Sequence, residues 1–274
     1  MKTIQTIIIF TGVTLLTLKT NYINAQGGYI SIGAGYALSA ASQSYGEKSS
    51  GSNSDIKLVK GTLGKGINVG ATFGTMINAN VGIELSAGYL VGGKLKSSYS
   101  FQSGVNYDDE ISLRMLRLIP ALKLTTGADK TKAYARGGVV VGLLGNGITK
   151  SNDKDQSGTE IREEKFTGGV SIGFMGAMGA EFAMSAKSAF FTELCFIAQS
   201  WAPSKSKITK YTEDGDDLLS TLTVHEQQTE YSNHISSSSS SVSTANEPAK
   251  ALKVYLPMSS VGINVGVRFM LGGK

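Results

Sequence analysis

The chain has 274 residues, a length for one large or two small domains, and 41% of them are hydrophobic, which excludes global disorder. Its 34 glycines show no Gly-X-Y period, which excludes collagen, and beside only four prolines they point to strands with crowded interiors. The net charge of +5 comes from scattered basic residues with no block of five or six, so no nucleic-acid partner is expected.

In chain order, Lys2 precedes an apolar segment over 4–18, and "NYINAQGGY" follows with Ala25 at a suitable cut. A positive residue, an apolar stretch and a small residue at the cut predict a secretory signal peptide over 1–25. The stretch is short of the roughly 20 apolar residues of a membrane-spanning helix. No cysteine stands directly after the cut, which argues against a lipoprotein. The mature domain is expected over 26–274.

Beyond the signal, hydrophobicity repeats with period 2, the mark of strands with two different faces. Over 29–38, Ile30, Ile32, Ala34, Tyr36 and Leu38 alternate with Ser31, Gly33, Gly35 and Ala37. Over 63–73, Ile67, Val69, Ala71 and Phe73 alternate with Gly66, Asn68, Gly70 and Thr72. Over 81–89, Val81, Ile83, Leu85, Ala87 and Tyr89 alternate with Gly82, Glu84, Ser86 and Gly88. A fourth strand over 111–125 places Leu116, Leu118, Pro120, Leu122 and Leu124 on one face. Its first part, through Met115, has the opposite phase, which predicts a bulge near Met115.

A fifth strand over 132–143 puts Ala133, Ala135, Val139, Val141 and Leu143 opposite Tyr134, Arg136 and Gly138. The sixth, over 166–182, alternates Phe166, Val170, Ile172, Phe174, Met178 and Phe182 with Thr167, Gly169, Ser171, Gly173, Ala177, Gly179 and Glu181. The seventh alternates Phe190, Leu194 and Phe196 with Glu193, Cys195 and Gln199. Cys195, the single cysteine, excludes an internal disulfide and reads as a small strand side chain. The last strand alternates Val261, Ile263, Val265, Val267 and Phe269 with Ser260, Gly262, Asn264, Gly266 and Arg268.

These are eight strands. The connections near 75–80, 126–131 and 183–188 are short, and those at 41–62, 93–109, 145–164 and 202–252 are long and polar. The last is expected to be a long flexible loop, since it carries a serine run over 236–241. One face of each strand bears large apolar residues, and the other is Gly, Ala, Ser, Thr and Asn, too small for a solubilising surface. The small face fits the interior of a narrow barrel, with the large residues turned toward lipid. The expected fold is an all-β, eight-stranded antiparallel up-and-down transmembrane barrel with short periplasmic turns and long extracellular loops. Tyr36, Phe73, Tyr89, Phe166, Phe182, Phe190 and Phe269 fall at strand ends, as interfacial girdles do.

The same phase places Glu84, Arg117, Lys123, Arg136, Glu181, Glu193 and Arg268 inside. Buried charges must pair, so these seven are expected to form one lumenal network near the short turns, with Arg117 deeper.

The segments "GKGINVGATFGTMINANVGIELSAGYL", "LRLIPALKL", "AYARGGVVVGLL", "GFMGAMGAEF", "FFTELCFIA" and "GINVGVRFML" resemble the outer-membrane protein β-barrel domain family, the OmpA- and OmpX-like eight-stranded barrels. The resemblance covers the mature chain and implies insertion by the outer-membrane assembly machinery, which reads the last strand. That strand usually ends on an aromatic; here Phe269 is followed by "MLGGK". The resemblance carries no catalytic residues and no cofactor.

Other chemistry is weak in this sequence. "GVSIG", at 169–173, matches the hydrolase pattern G-x-S-x-G but lies in a strand, without the strand-to-helix elbow that motif needs. His234 and Ser236 fall in a serine-rich stretch. Glu213, Asp214, Asp216 and Asp217 lack the EF-hand spacing. Lys94, Lys96, Lys205, Lys207 and Lys210 lie near the outer rim and could meet lipopolysaccharide phosphates. The expected partners are outer-membrane lipid, lipopolysaccharide and the assembly machinery, with the protein a monomer. The expected function is a structural, adhesive or interaction role through surface loops, with a small low-conductance porin-like channel and a lipid-acting outer-membrane enzyme as alternatives.

Overall fold

The computed structural model describes residues 27–41, 43–49, 56–100, 105–127, 130–235 and 245–271. The expected signal peptide at 1–25 and the serine run at 236–241 lie outside the described residues. The alternating segments form strands β1 (Gly28–Ser39), β2 (Gln43–Ser49), β3 (Ile56–Gly61), β4 (Gly66–Met76), β5 (Val81–Gly92), β6 (Leu95–Ser100), β7 (Asn106–Gly127), β8 (Thr131–Lys154) and β9 (Thr159–Thr167). They continue as β10 (Ser171–Ser185), β11 (Ser188–Trp201), β12 (Lys205–Glu213), β13 (Asp216–Asp217), β14 (Gln228–Ser232), β15 (Ala249–Leu252), β16 (Leu256–Pro257) and β17 (Ser260–Leu271). One helical turn, Val224–Gln227, is capped by Thr223, whose hydroxyl accepts from the Glu226 amide.

Eight of these strands close on themselves. β1 pairs antiparallel with β4 on one side and with β17 on the other, and the ring continues through β5, β7, β8, β10 and β11 back to β17. The expected up-and-down barrel is therefore the observed one. The large apolar residues point outward, with Ile32, Phe174 and Ile263 each about 60–70% exposed. The facing set is buried, Ser31, Glu84 and Ser171 being at most 5% exposed. An exposed apolar belt of this extent on a closed barrel suits hydrocarbon rather than water.

The expected bulge near Met115 falls on the partner strand. Between Arg114 and Leu116 of β7, Met115 alone faces Leu144 and Gly145 of β8. The extra residue there is Leu144, exposed and at φ 52°. β7 itself keeps one phase, with Ile111, Leu113, Met115 and Arg117 all buried, so the apparent phase change is apolar residues turned inward at the barrel mouth. Pro120 sits outside, opposite Leu85 of β5, and the β7–β8 register passes from Leu118↔Val141 to Ala121↔Gly138 around it. At that point the ring has no N–H to give. The 77–80 turn is tied by the Asn78 carboxamide, which accepts from the amides of Asn80 (2.9 Å) and Val81 (2.8 Å).

Three further expectations need correction. The sixth strand begins at Ser171, not Phe166: Gly168 and Gly169 adopt φ of 76° and 75°, a left-handed break that sends Phe166 into β9. Phe166 is thus half-buried beside Tyr231 and belongs to no outer girdle, while Tyr36, Phe73, Tyr89, Phe182, Phe190 and Phe269 do face outward. Leu63, in phase with the outer face, is 2% exposed and packs inside, because the strand starts three residues later at Gly66.

The long connections are largely strands themselves. β7 has 22 residues and β8 has 24, about twice the 9–11 that a tilted strand needs to cross a membrane. Above the barrel they carry β6 on one side and β9, β12, β14 and β15 on the other, and β2–β3 forms a hairpin against β6.

The belt makes a direct prediction at Met178, mid-strand and 64% exposed. Met178→Arg is expected to lower unfolding free energy in detergent or lipid vesicles by about 2–4 kcal/mol. A surface site on a water-facing barrel would change by less than about 0.5 kcal/mol.

Candidate functional site: a lumen closed at both ends

Read along its inward face, β7 samples the lumen from the short-turn end upward: Lys123, Ala121, Ile119, Arg117, then Met115, Leu113 and Ile111. A charged layer, a cavity and an apolar layer succeed one another.

The charged layer contains six of the seven expected residues. Glu193 of β11 takes a bidentate pair from Arg136 of β8, Nε to Oε2 at 2.9 Å and Nη2 to Oε1 at 2.7 Å. It also accepts from the Tyr134 hydroxyl (3.0 Å) and from Asn264 Nδ2 (2.9 Å). Arg136 Nη1 reaches Glu84 of β5 at 3.1 Å, and Tyr29 of β1 donates to the other Glu84 oxygen at 2.7 Å. Arg268 of β17 lies 3.4 Å from Glu84, pairs with Glu181 of β10, and donates from Nε to Ser31 at 2.9 Å. Lys123 of β7 completes the set on Glu181. Lys123 and Arg268 also lie over the rings of Tyr134 and Tyr29, at 4.6 and 4.0 Å from the centroids.

Three carboxylates thus meet three cations, drawn with Tyr29 from seven of the eight barrel strands. Low exposure makes each group dependent on its partners. A one-residue slip of any of these strands would turn its charge toward the outer face. The arrangement is therefore a register lock across the barrel. Arg117 is the exception to the expected grouping. It lies six residues above Lys123, roughly 20 Å along the strand, and its partners are neutral: Gln199 (Nε to Oε1, 2.9 Å) and Asn68 (Nη1 to Oδ1, 3.3 Å).

At the far end an apolar cluster fills the mouth: Leu63, Leu90, Leu95, Ile111, Leu113, Met115, Trp201 and Met258, with Phe166 and Leu256 against it. The segment 62–65 crosses there, fixed by Leu63 N to Pro257 O (2.9 Å) and Thr62 Oγ1 to Ser259 O (2.6 Å). A side chain at Gly64 would collide with the Met258 carbonyl at 1.9 Å, so only glycine permits this approach. Trp201, fully buried, donates from Nε1 to Gly168 O at 3.0 Å. This plug was not legible in advance, since Leu63, Trp201 and Met258 sit where the alternation ends. Its signals were the lone tryptophan at the end of an apolar strand and the opposite-phase apolar residues Ile111, Leu113 and Met115, which read as a bulge.

The remaining candidates take structural places. Ser171, the centre of "GVSIG", opens β10, is 1% exposed and donates to Ser200 O at 2.5 Å. Cys195 faces the lumen beside an apolar cluster that includes Ile197 and Met175. Asp214 accepts from the Thr159 amide (2.8 Å) and Asp217 from the Leu219 amide (3.0 Å), so the acidic knot shapes turns. His225 lies in the helical turn and His234 is exposed beyond β14. Lys94 and Lys96 bind Glu110 at 2.8 and 3.2 Å, and the hydrogen bond from Lys94 holds that surface carboxyl below its usual range. Lys205, Lys207 and Lys210 are exposed on β12.

No protein-family model matches the chain, and no curated protein matches it. Among solved structures it is similar to Neisserial surface protein A (9% identity, 90% of this chain and 99% of that one, TM-score 0.43). It is also similar to the outer membrane protease OmpT from Escherichia coli (7% identity, 92% and 100%, TM-score 0.33) and to Ail, the attachment invasion locus protein of Yersinia pestis (10% identity, 89% and 99%, TM-score 0.30). These likenesses are distant, and the barrel stands on the chain's own strand pairing.

Glu193 accepts four hydrogen bonds, more than either other carboxylate of the charged layer. Glu193→Ala strands Arg136 and is expected to lower stability in detergent by about 3–5 kcal/mol, read by heat or urea unfolding. Glu193→Gln, which keeps acceptor and shape, is expected to fall between. An unchanged midpoint for both would remove the register lock.

Proposed function

We propose that the chain is an integral outer-membrane barrel of a Gram-negative-type envelope, acting through its extracellular strands in a structural, adhesive or interaction role, and not as an enzyme or open pore. The observation that carries this is the closure of the lumen at both ends, by ion pairs below and by the Trp201 and Met258 cluster above. A barrel of eight strands has an interior just filled by side chains, which leaves no wide aqueous path. The chain instead invests its length outside: β7 and β8 run about ten residues beyond a membrane crossing and organise a sheet of hairpins there. Surfaces of this kind, raised on a rigid scaffold, are where recognition resides.

The short turns then face the periplasm, and the 202–252 connection faces outside. Lys205, Lys207 and Lys210 are exposed on that connection, and in this reading they meet lipopolysaccharide phosphates as point charges. Insertion would run through the outer-membrane assembly machinery, with β17 as the last strand to close, and the closed ring makes a monomer self-sufficient.

Planar-bilayer recording is expected to show no steady unitary current from the purified protein; reproducible unitary steps would instead establish the low-conductance channel. An epitope inserted after His234 is expected to be reached by antibody on intact cells. Labelling only after permeabilisation would invert the orientation and remove the surface role. A lipase or deacylase activity abolished by His234→Ala would establish the enzyme reading instead.

A further inference from the structure

The lumen holds seven charges, and six of them cancel. The seventh, Arg117, is 2% exposed, and its neighbours Gln199 and Asn68 are neutral amides. Its Nη2 finds no hydrogen-bond partner among the described residues. A buried guanidinium without a counter-charge is costly, and its free edge offers donors only.

Arg117 lines a cavity of about 110 Å³ between the charged layer and the plug. The register explains the space. Arg117 is flanked by Gly88 of β5 and Gly142 of β8, and the row runs on from Gly88 to Gly70, Gly33 and Gly266. Phe191 of β11 ends the row and lies over Gly33 and Gly266, leaving the room near Gly70 and Gly88 unfilled. Asn68, Ser86 and Asn264 add polar groups to the wall, and the Arg136–Glu193 pair, joined at 2.7 Å, lines its lower side. The space holds a small ion together with water, since one water needs only about 10–15 Å³ of such volume.

We propose that this cavity binds a small inorganic monovalent anion of chloride size, with the Arg117 guanidinium as its charged donor. The anion neutralises the seventh lumenal charge, so the barrel interior is balanced only when the site is filled. This role is separate from the surface function and would hold whatever the outer strands contact.

Two experiments test it. Crystals grown in bromide are expected to give an anomalous difference peak within hydrogen-bonding range of Arg117. In detergent, replacing potassium gluconate by potassium chloride at fixed ionic strength is expected to raise the melting temperature by on the order of 5 °C, because the ion binds the folded state only. Gluconate is too bulky for the cavity. The chloride effect is expected to vanish in Arg117→Gln, which loses the charge, and in Gly88→Val, which fills the space. Absence of a bromide peak in the cavity would overturn the proposal, as would a chloride effect undiminished in either variant. If Arg117→Gln does not fold, Gly88→Val and the bromide map of the wild-type protein still decide.

Discussion

A strand in hydrocarbon has no water to satisfy its N–H and C=O groups, so each must be paired within the protein. The double pairing of β1, with β4 and with β17, is how this chain meets that constraint. Closure dictates the rest. Eight strands leave an interior too narrow for two large side chains facing one another, so glycine, alanine and serine are pushed inside and isoleucine, leucine and phenylalanine outside. The period-2 pattern is the same as in a water-soluble sheet, but its two faces are exchanged.

Exchange of the faces puts charge where a soluble protein would put its core. Removing a charge's partner there costs more than the pair itself contributes, so buried ion pairs specify an arrangement more than they add to stability. Here Glu84, Glu181 and Glu193 are shared among Lys123, Arg136 and Arg268, which ties distant strands to one register. The apolar layer at the other mouth has a different logic: it is a small ordinary hydrophobic core, assembled from strand ends and the crossing segment 62–65. Between them the barrel is under-filled, and Arg117 stands in that gap.

Most of the barrel was legible because its information is local. Alternation marks each strand, and charge in the inward phase marks the six network residues. The apolar run Ile111, Leu113 and Met115 reads as a change of phase, but it is the plug turned inward on an unbroken β7. What alternation does not encode is depth and termination. Leu63 kept the outward phase yet lies inside, since the strand had not begun. Phe166 continued the β10 pattern across Gly168 and Gly169, whose left-handed turn breaks the strand. Arg117 was placed in the right phase, but its separation along β7 from Lys123 removes it from the ion pairs. Phe191, apolar on the inward face, escaped notice because β11 is apolar on both sides, and only the glycines opposite it reveal the space it needs. The outer sheet was harder still. Its strands are short and mostly polar, and those next to the barrel extensions are set by pairing with β7 and β8 rather than by a clear alternation of their own.

Solution NMR of the protein in lipid nanodiscs tests the central claim, that the bulky face meets acyl chains. The account predicts nuclear Overhauser contacts from lipid methylene protons to the side chains of Ile32, Leu85, Phe174 and Ile263, and none to Ser31, Glu84 or Ser171. Contacts to the second set, or lipid contacts confined to the outer hairpins, would contradict it.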